Sequence, residues 1–139
     1  MTEKLTFKGR GIAKGRAEGK ALVADATLSF WGEVDPVTGK VISVGHPLEG
    51  RSLGGRVLVI RSTRGSSATP MILRLASLEG NAPAALVNVE VDALAALGCI
   101  VNRIPMIGDL TQDVLRLIRD GDPVIVDADQ GTVTVLKER

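Results

Sequence analysis

Gly55-Arg56-Val57-Leu58-Val59-Ile60, running on through Arg61-Ser62-Thr63-Arg64-Gly65-Ser66-Ser67 into Pro70-Met71-Ile72-Leu73, is the stretch that decides the fold. Arg56 to Ile60 is a near-continuous apolar, β-branched run, as expected of a strand buried on both faces. Arg61 to Ser67 is a polar, glycine-containing connection. Beyond it, Met71, Ile72, Leu75 and Leu78 recur at three- and four-residue spacing, which predicts a helix with these four on one face. Pro70 fits its first turn, and Gly80-Asn81 ends it.

Toward the C-terminus the alternation continues. Ala84 to Asn88 reads as a second buried strand, Asp92 to Leu97 as a short helix and Ile104 to Ile107 as a strand. Asp109 is placed to N-cap a helix through Val114, Leu117 and Ile118 that closes at Gly121. Residues 123–127 and 132–136 read as two closing strands around a turn at 128–131. Toward the N-terminus the chain is strand-rich: Leu5 to Ala13, broken by Gly9 and Gly11, then Ala17 to Ala24, then a short candidate at Leu28 to Gly32. Val34 to Lys40 is a turn, with Pro36 presetting φ and Gly39 permitting a positive one. Val41 to Val44 is expected to return as a strand, and the segment from His46 to Gly55 as a loop. A strand-rich half joined to a β-α-β-α-β half implies an α/β, mixed β/β/α architecture in one domain over residues 1–139.

Composition agrees. The 139 residues suit one core, and 45% are hydrophobic although Phe7, Phe30 and Trp31 are the whole aromatic set. Val, Ile, Leu and Ala must therefore fill the interior. Net charge is +1. Basic residues lean to the first 25 positions, which suits either a solvated face or an anionic substrate or partner. Nucleic-acid binding is not expected, since no stacking aromatics interleave with the basic residues. Cys99, the one cysteine, excludes an internal disulfide and reads as a small buried hydrophobe. No signal peptide and no membrane span are read, and a cytoplasmic location is expected.

Chemistry has one natural seat, the connection from Arg61 to Ser67 between a strand and a helix. Free N–H groups and the dipole at a helix start favour anions. A serine there can have its alkoxide stabilised by those donors and by Arg64, which lets an otherwise poor base take a proton. Gly65 would admit close approach of a ligand. Serine before a helix is also the usual N-cap, so capping stands beside catalysis as a reading. The Gly9 to Gly19 loop, rich in glycine and basic residues, could hold a phosphate or carboxylate, or simply form turns and a bulge. His46 reads as a loop histidine, and Asp127 and Asp129 as turn residues. With one histidine and one cysteine, the chain offers no zinc or iron–sulfur ligand set.

Several segments, taken in order, resemble the aconitase X small-subunit, or swivel-domain, family. They are Gly15-Arg16-Ala17-Glu18-Gly19-Lys20-Ala21-Leu22-Val23, then Ser29-Phe30-Trp31-Gly32-Glu33-Val34-Asp35-Pro36-Val37-Thr38-Gly39, then Arg64-Gly65-Ser66-Ser67. Ala82-Pro83-Ala84-Ala85 and Ile104-Pro105-Met106-Ile107 follow in the expected order. The resemblance implies a swivelling domain like the mobile fourth domain of aconitase. It implies a hydro-lyase subunit that works in a heterodimer, or higher assembly, with a large catalytic subunit. That large subunit would hold an iron–sulfur cluster or iron, and none would be bound by this chain. The expected reaction is syn- or anti-elimination of water from a small anionic hydroxy acid, a phosphorylated mevalonate or cis-3-hydroxy-L-proline. Ser66 would be the general base, with Arg64, Gly65 and Ser67 as substrate contacts. Two departures bear on the substrate: Glu33, where a glycine is common in the family, and Ala68-Thr69-Pro70-Met71, where a Gly-Ser pair is common. A non-catalytic binding or regulatory module on the same fold is the alternative.

Overall fold

The structure, a computed structural model, describes residues 2–138. Its strands are β1 (Thr2–Lys8), β2 (Arg10–Ala13), β3 (Arg16–Leu28), β4 (Val57–Thr63), β5 (Ala85–Asn88), β6 (Met106–Gly108), β7 (Pro123–Asp127) and β8 (Thr132–Glu138). The helical segments are α1 (Phe30–Glu33), α2 (Thr69–Leu78), α3 (Ala93–Asn102) and α4 (Val114–Leu117). The strands hydrogen-bond in the order β1-β8-β7-β3-β4-β5-β6-β2. β3 is the joint of this sheet. Its first residues, Arg16 to Lys20, run antiparallel to β7, while Ala21 to Leu28 run parallel to β4. From β3 through β6 the pairs are parallel, joined through α2 and α3 as the β-α-β-α-β reading expects.

β4 is covered on both faces. Leu58 and Ile60 pack with Leu22, Leu73, Leu86 and Cys99 on the helix side. Val57 and Val59 pack with Val124, Val126, Val133 and Val135 on the other side. All four are fully buried, each contributing about 1.5–3 kcal/mol by removal from water. The result is a helix layer, a parallel sheet and a second strand layer, the β/β/α arrangement.

The helix after β4 is present, but its inner face differs from the expected stripe. Thr69, Leu73 and Ala76 point inward, Ile72 is half-buried, and Met71, Leu75 and Leu78 are exposed. The reason is close approach to α3. A Cβ on Gly98 would lie 2.8 Å from Leu73 Cδ1 and 3.4 Å from Pro70 Cα, so the smaller face of α2 meets α3. α3 itself runs through Gly98 to Asn102, past the Leu97 boundary expected from sequence.

Three other expectations are corrected. Leu28 ends β3, and the next residues form α1, one irregular turn with Gly32 at φ 87°, rather than a strand. There the Ser29 hydroxyl donates to the Trp31 carbonyl and the Ser29 N–H to Glu33, so donors and acceptors are satisfied locally. Val41 to Val44 forms no strand; isolated bridges Val34–Val41 and Lys40–Ser52 are what remain, and Val44 is exposed. Asp109 does not cap a helix. It sits at φ 51° and pairs with Arg10 at 2.7 Å, and α4 starts after Asp113. The 34–40 turn occurs as read, and within the Gly9–Gly19 stretch the pairing of β2 with β6 carries a bulge between Gly11 and Ala13.

Candidate functional site

The carboxyl ends of β3 and β4 lie level, Leu28 beside Thr63, with the end of β5 next to them. In open parallel sheets, loops from neighbouring strands converge at this edge. The loop leaving β4 carries Arg64, Gly65, Ser66 and Ser67 together. Its root is tied down by the Arg64 N–H donating to the Leu28 carbonyl at 3.0 Å. Below it, fully buried Asn88 donates through Nδ2 to Thr63 Oγ1 at 3.2 Å. Thr63 donates in turn to Asp92 Oδ2 at 3.0 Å, the carboxylate that caps α3 by accepting the Ala95 N–H.

Ser66 is half-buried. Its N–H donates to Thr69 Oγ1 at 3.3 Å, and its carbonyl accepts the Thr69 N–H at 3.1 Å. Its Oγ accepts the Ala68 N–H at 3.2 Å. Ala68 occupies the N-cap position of α2 without a side-chain cap bond, so neither Ser66 nor Ser67 is the helix cap. Ser66 closes a tight side-chain turn one step upstream instead. Among the described residues no acceptor takes the Ser66 O–H proton. Ser67 is exposed, and its hydroxyl makes no hydrogen bond among the described residues.

Gly65 is required by packing. A Cβ there would come within 2.4 Å of Leu94 Cδ1 and 3.3 Å of Leu94 Cβ and Cγ. In this chain the close approach at Gly65 is made by Leu94 of α3. Arg64 is exposed along most of its side chain, and its Nη2 lies 3.3 Å from Glu33 Oε1. Glu33 is largely buried and also accepts the Ser29 N–H at 2.7 Å. Burial pushes its carboxyl upward, but the Ser29 N–H, the Ser43 hydroxyl and Arg64 together outweigh it and hold the group below the usual range. Glu33 and Thr69, the partners that fix Arg64 and Ser66, were not picked out as positioning groups from sequence. The one signal was that both lie at positions where the chain departs from its resembled family.

A groove of about 1090 Å³ lies at the opposite edge of the sheet and does not include Ser66. Within this chain the Ser66 loop sits on an open edge. His46 is fixed in its loop by both ring nitrogens, one 2.8 Å from the Thr27 carbonyl and the other accepting the Leu48 N–H at 3.0 Å. Asp127 and Asp129 serve turns, accepting the Gln130 and Gly15 N–H groups. Cys99 is buried, and burial pushes its thiol up to about 12. No described helix is long and apolar enough to cross a membrane.

The sequence matches the family described as aconitase X swivel domain over residues 6–135. It is 37% identical to the phosphomevalonate dehydratase small subunit of Methanosarcina mazei, covering 96% of this chain and 93% of that one. It is 40% identical to the phosphomevalonate dehydratase small subunit of Methanocella arvoryzae, covering 93% and 98%. The structure superposes on aconitase X from Thermococcus kodakaraensis, crystallised in its holo-form, with a TM-score of 0.89 and 35% identity, covering 96% and 99% of the two chains. A second relative, solved by NMR in solution, gives a TM-score of 0.83 at 34% identity, covering 93% and 97%.

Proposed function

This chain belongs to the aconitase X swivel-domain family, and from that premise we propose that it is the small subunit of a cytoplasmic phosphomevalonate dehydratase. Its partner would be a large catalytic subunit, and its role to bring Ser66 to the substrate as general base. The observation that carries the reading is the Ser66 hydroxyl. It stands half-buried on the open carboxyl edge of the parallel strands, its oxygen accepting an N–H from the start of α2 and its proton committed to no acceptor.

In the elimination, a C–H bond beside the departing hydroxyl breaks. Ser66, its own proton given up to solvent, takes the C–H proton as an alkoxide. The C–H electron pair forms the double bond as the C–O bond breaks, and the departing hydroxide is protonated from solvent and leaves as water. A serine alkoxide needs stabilisation to act this way. The Ala68 N–H at 3.2 Å and the amino end of the ten-residue α2 supply it. Arg64, anchored at one end by Glu33, leaves its remaining donors for an anionic group of the substrate. Ser67 is a further substrate contact. Gly65 acts by letting the loop settle against Leu94.

The iron centre that the family resemblance implies fits no residue set among the described residues. The described residues form no cluster of three or more His, Cys, Asp or Glu groups, and Cys99 is buried in its thiol form. In this proposal the centre belongs to the large subunit, and no step of this chain's chemistry is routed through it. The test is co-expression with the large subunit, then dehydratase assays on phosphomevalonate and on cis-3-hydroxy-L-proline. Turnover of phosphomevalonate by the complex, and by neither subunit alone, is expected. A complex active on cis-3-hydroxy-L-proline alone would refute the substrate assignment, and failure of the chains to associate would refute the subunit assignment.

A further inference from the structure

The groove at the amino edge of the parallel strands contains none of the residues to which the dehydratase reading gives a role. It is lined by Lys14, Arg16 and Arg103, which come from the β2–β3 connection, β3 and the end of α3. Lys14 and Arg103 have no side-chain hydrogen bond or ion pair among the described residues. Arg16 reaches Glu18 at 3.9 Å, with both side chains exposed. Asp129 is the single carboxylate in the lining, and its Oδ1 is occupied by the Gly15 N–H at 3.0 Å. Three cations facing one carboxylate, with Glu18 reached only loosely by Arg16, leave the groove with an excess of positive charge that an anion would offset.

Arg103 adds a second observation. It ends α3 in the left-handed region, φ 57° and ψ 42°, where glycine or asparagine is the low-energy choice. Its backbone N–H closes the helix on the Cys99 and Ile100 carbonyls, a bond that glycine would make equally well. The backbone thus gives no reason for a long cationic side chain. A cation does favour the carbonyl end of a helix, but that leaves Lys14 and Arg16, which belong to no helix, unexplained.

We propose that this groove binds a small multivalent oxyanion of the phosphate class, independently of the Ser66 site. A guanidinium offers paired donors to adjacent phosphate oxygens, and an ammonium a point charge. Cations arriving from three separate elements suit a ligand with more than one charged group better than a monocarboxylate.

The test is titration of the full chain with inorganic pyrophosphate at low ionic strength, followed by calorimetry and amide chemical shifts. Saturable binding is expected, with shifts confined to residues around Lys14–Arg16, Arg103 and Asp129. Arg103→Gly is the informative variant, because glycine fits the left-handed position. It should melt no lower than the parent yet bind pyrophosphate about tenfold more weakly or worse. Lys14→Ala should weaken binding as well, whereas Lys4→Ala on β1 should not. Absence of saturable binding, or Arg103→Gly titrating like the parent, would overturn the proposal.

Discussion

Gly65→Ala separates two reasons for a glycine beside Ser66. The added methyl would meet Leu94 Cδ1 at 2.4 Å and Leu94 Cβ and Cγ at 3.3 Å. The Cδ1 and Cγ contacts can be relieved by rotating a half-buried leucine, but the Cβ contact requires the loop or α3 to shift. Overpacking of this kind costs about 1–3 kcal/mol, and at about 3 °C per kcal/mol for a chain of this length the melting temperature should fall by about 3–9 °C. Leu94→Ala should remove the Cδ1 and Cγ contacts and leave only the 3.3 Å approach of Cβ. The Gly65→Ala/Leu94→Ala double variant should then lose less than the sum of the two single variants, with a coupling of about 1 kcal/mol or more. Thermal unfolding of the four proteins measures this directly. If Gly65→Ala melts with the parent and shows no coupling to Leu94, packing is not what holds residue 65 to glycine, and the close-approach argument for the loop fails.

The rotation of α2 is tested by Leu73→Ala, expected to cost about 2–5 kcal/mol, against Leu78→Lys, expected within about 0.5 kcal/mol; chemical denaturation that ranked them the other way would restore the face read from sequence. Glu33→Gln removes the anchor of Arg64 and should cost about 1 kcal/mol near neutral pH. Because the folded Glu33 carboxyl is held below its ordinary value of 4.5, its stabilisation is present above that pH and lost as pH falls through the folded value, so the variant should be less acid-sensitive than the parent. Cys99, with a folded thiol near 12, should resist thiol reagents at pH 8 until the chain unfolds. Since that folded value is raised, stability should fall as pH rises from about 9 toward 12, by about 1.4 kcal/mol per unit, and Cys99→Ala should flatten that limb of the pH–stability curve.

What could be read in the sequence followed from strong local patterns. The β4 run is buried on both faces because it is apolar at every position, and Pro36 with Gly39 left one plausible turn. The α2 face was misread because that helix carries two apolar stripes. The choice between them depends on Gly98, twenty residues beyond the helix end and visible only as a glycine in an apolar run. Val41 to Val44 has strand-like residues but no neighbour to pair with, since Glu33 and the loop to Ser52 take up its backbone groups. In the site, the type of loop and its four residues were legible from a strand, a glycine and a helix in succession. What fixes them was less so: Thr69 meets Ser66 locally, three residues on, whereas Glu33 reaches Arg64 through tertiary geometry that no spacing rule announces.

The central claim is that the Ser66 oxygen takes the proton in the dehydration. Its most direct test is the turnover of phosphomevalonate by the complex reconstituted with Ser66→Ala, with assembly and melting temperature measured on the same samples. A fall in kcat of about 10²–10⁴ with assembly and stability intact is the predicted result. Turnover near that of the parent complex would contradict the claim and leave Ser66 as a turn residue at the start of α2.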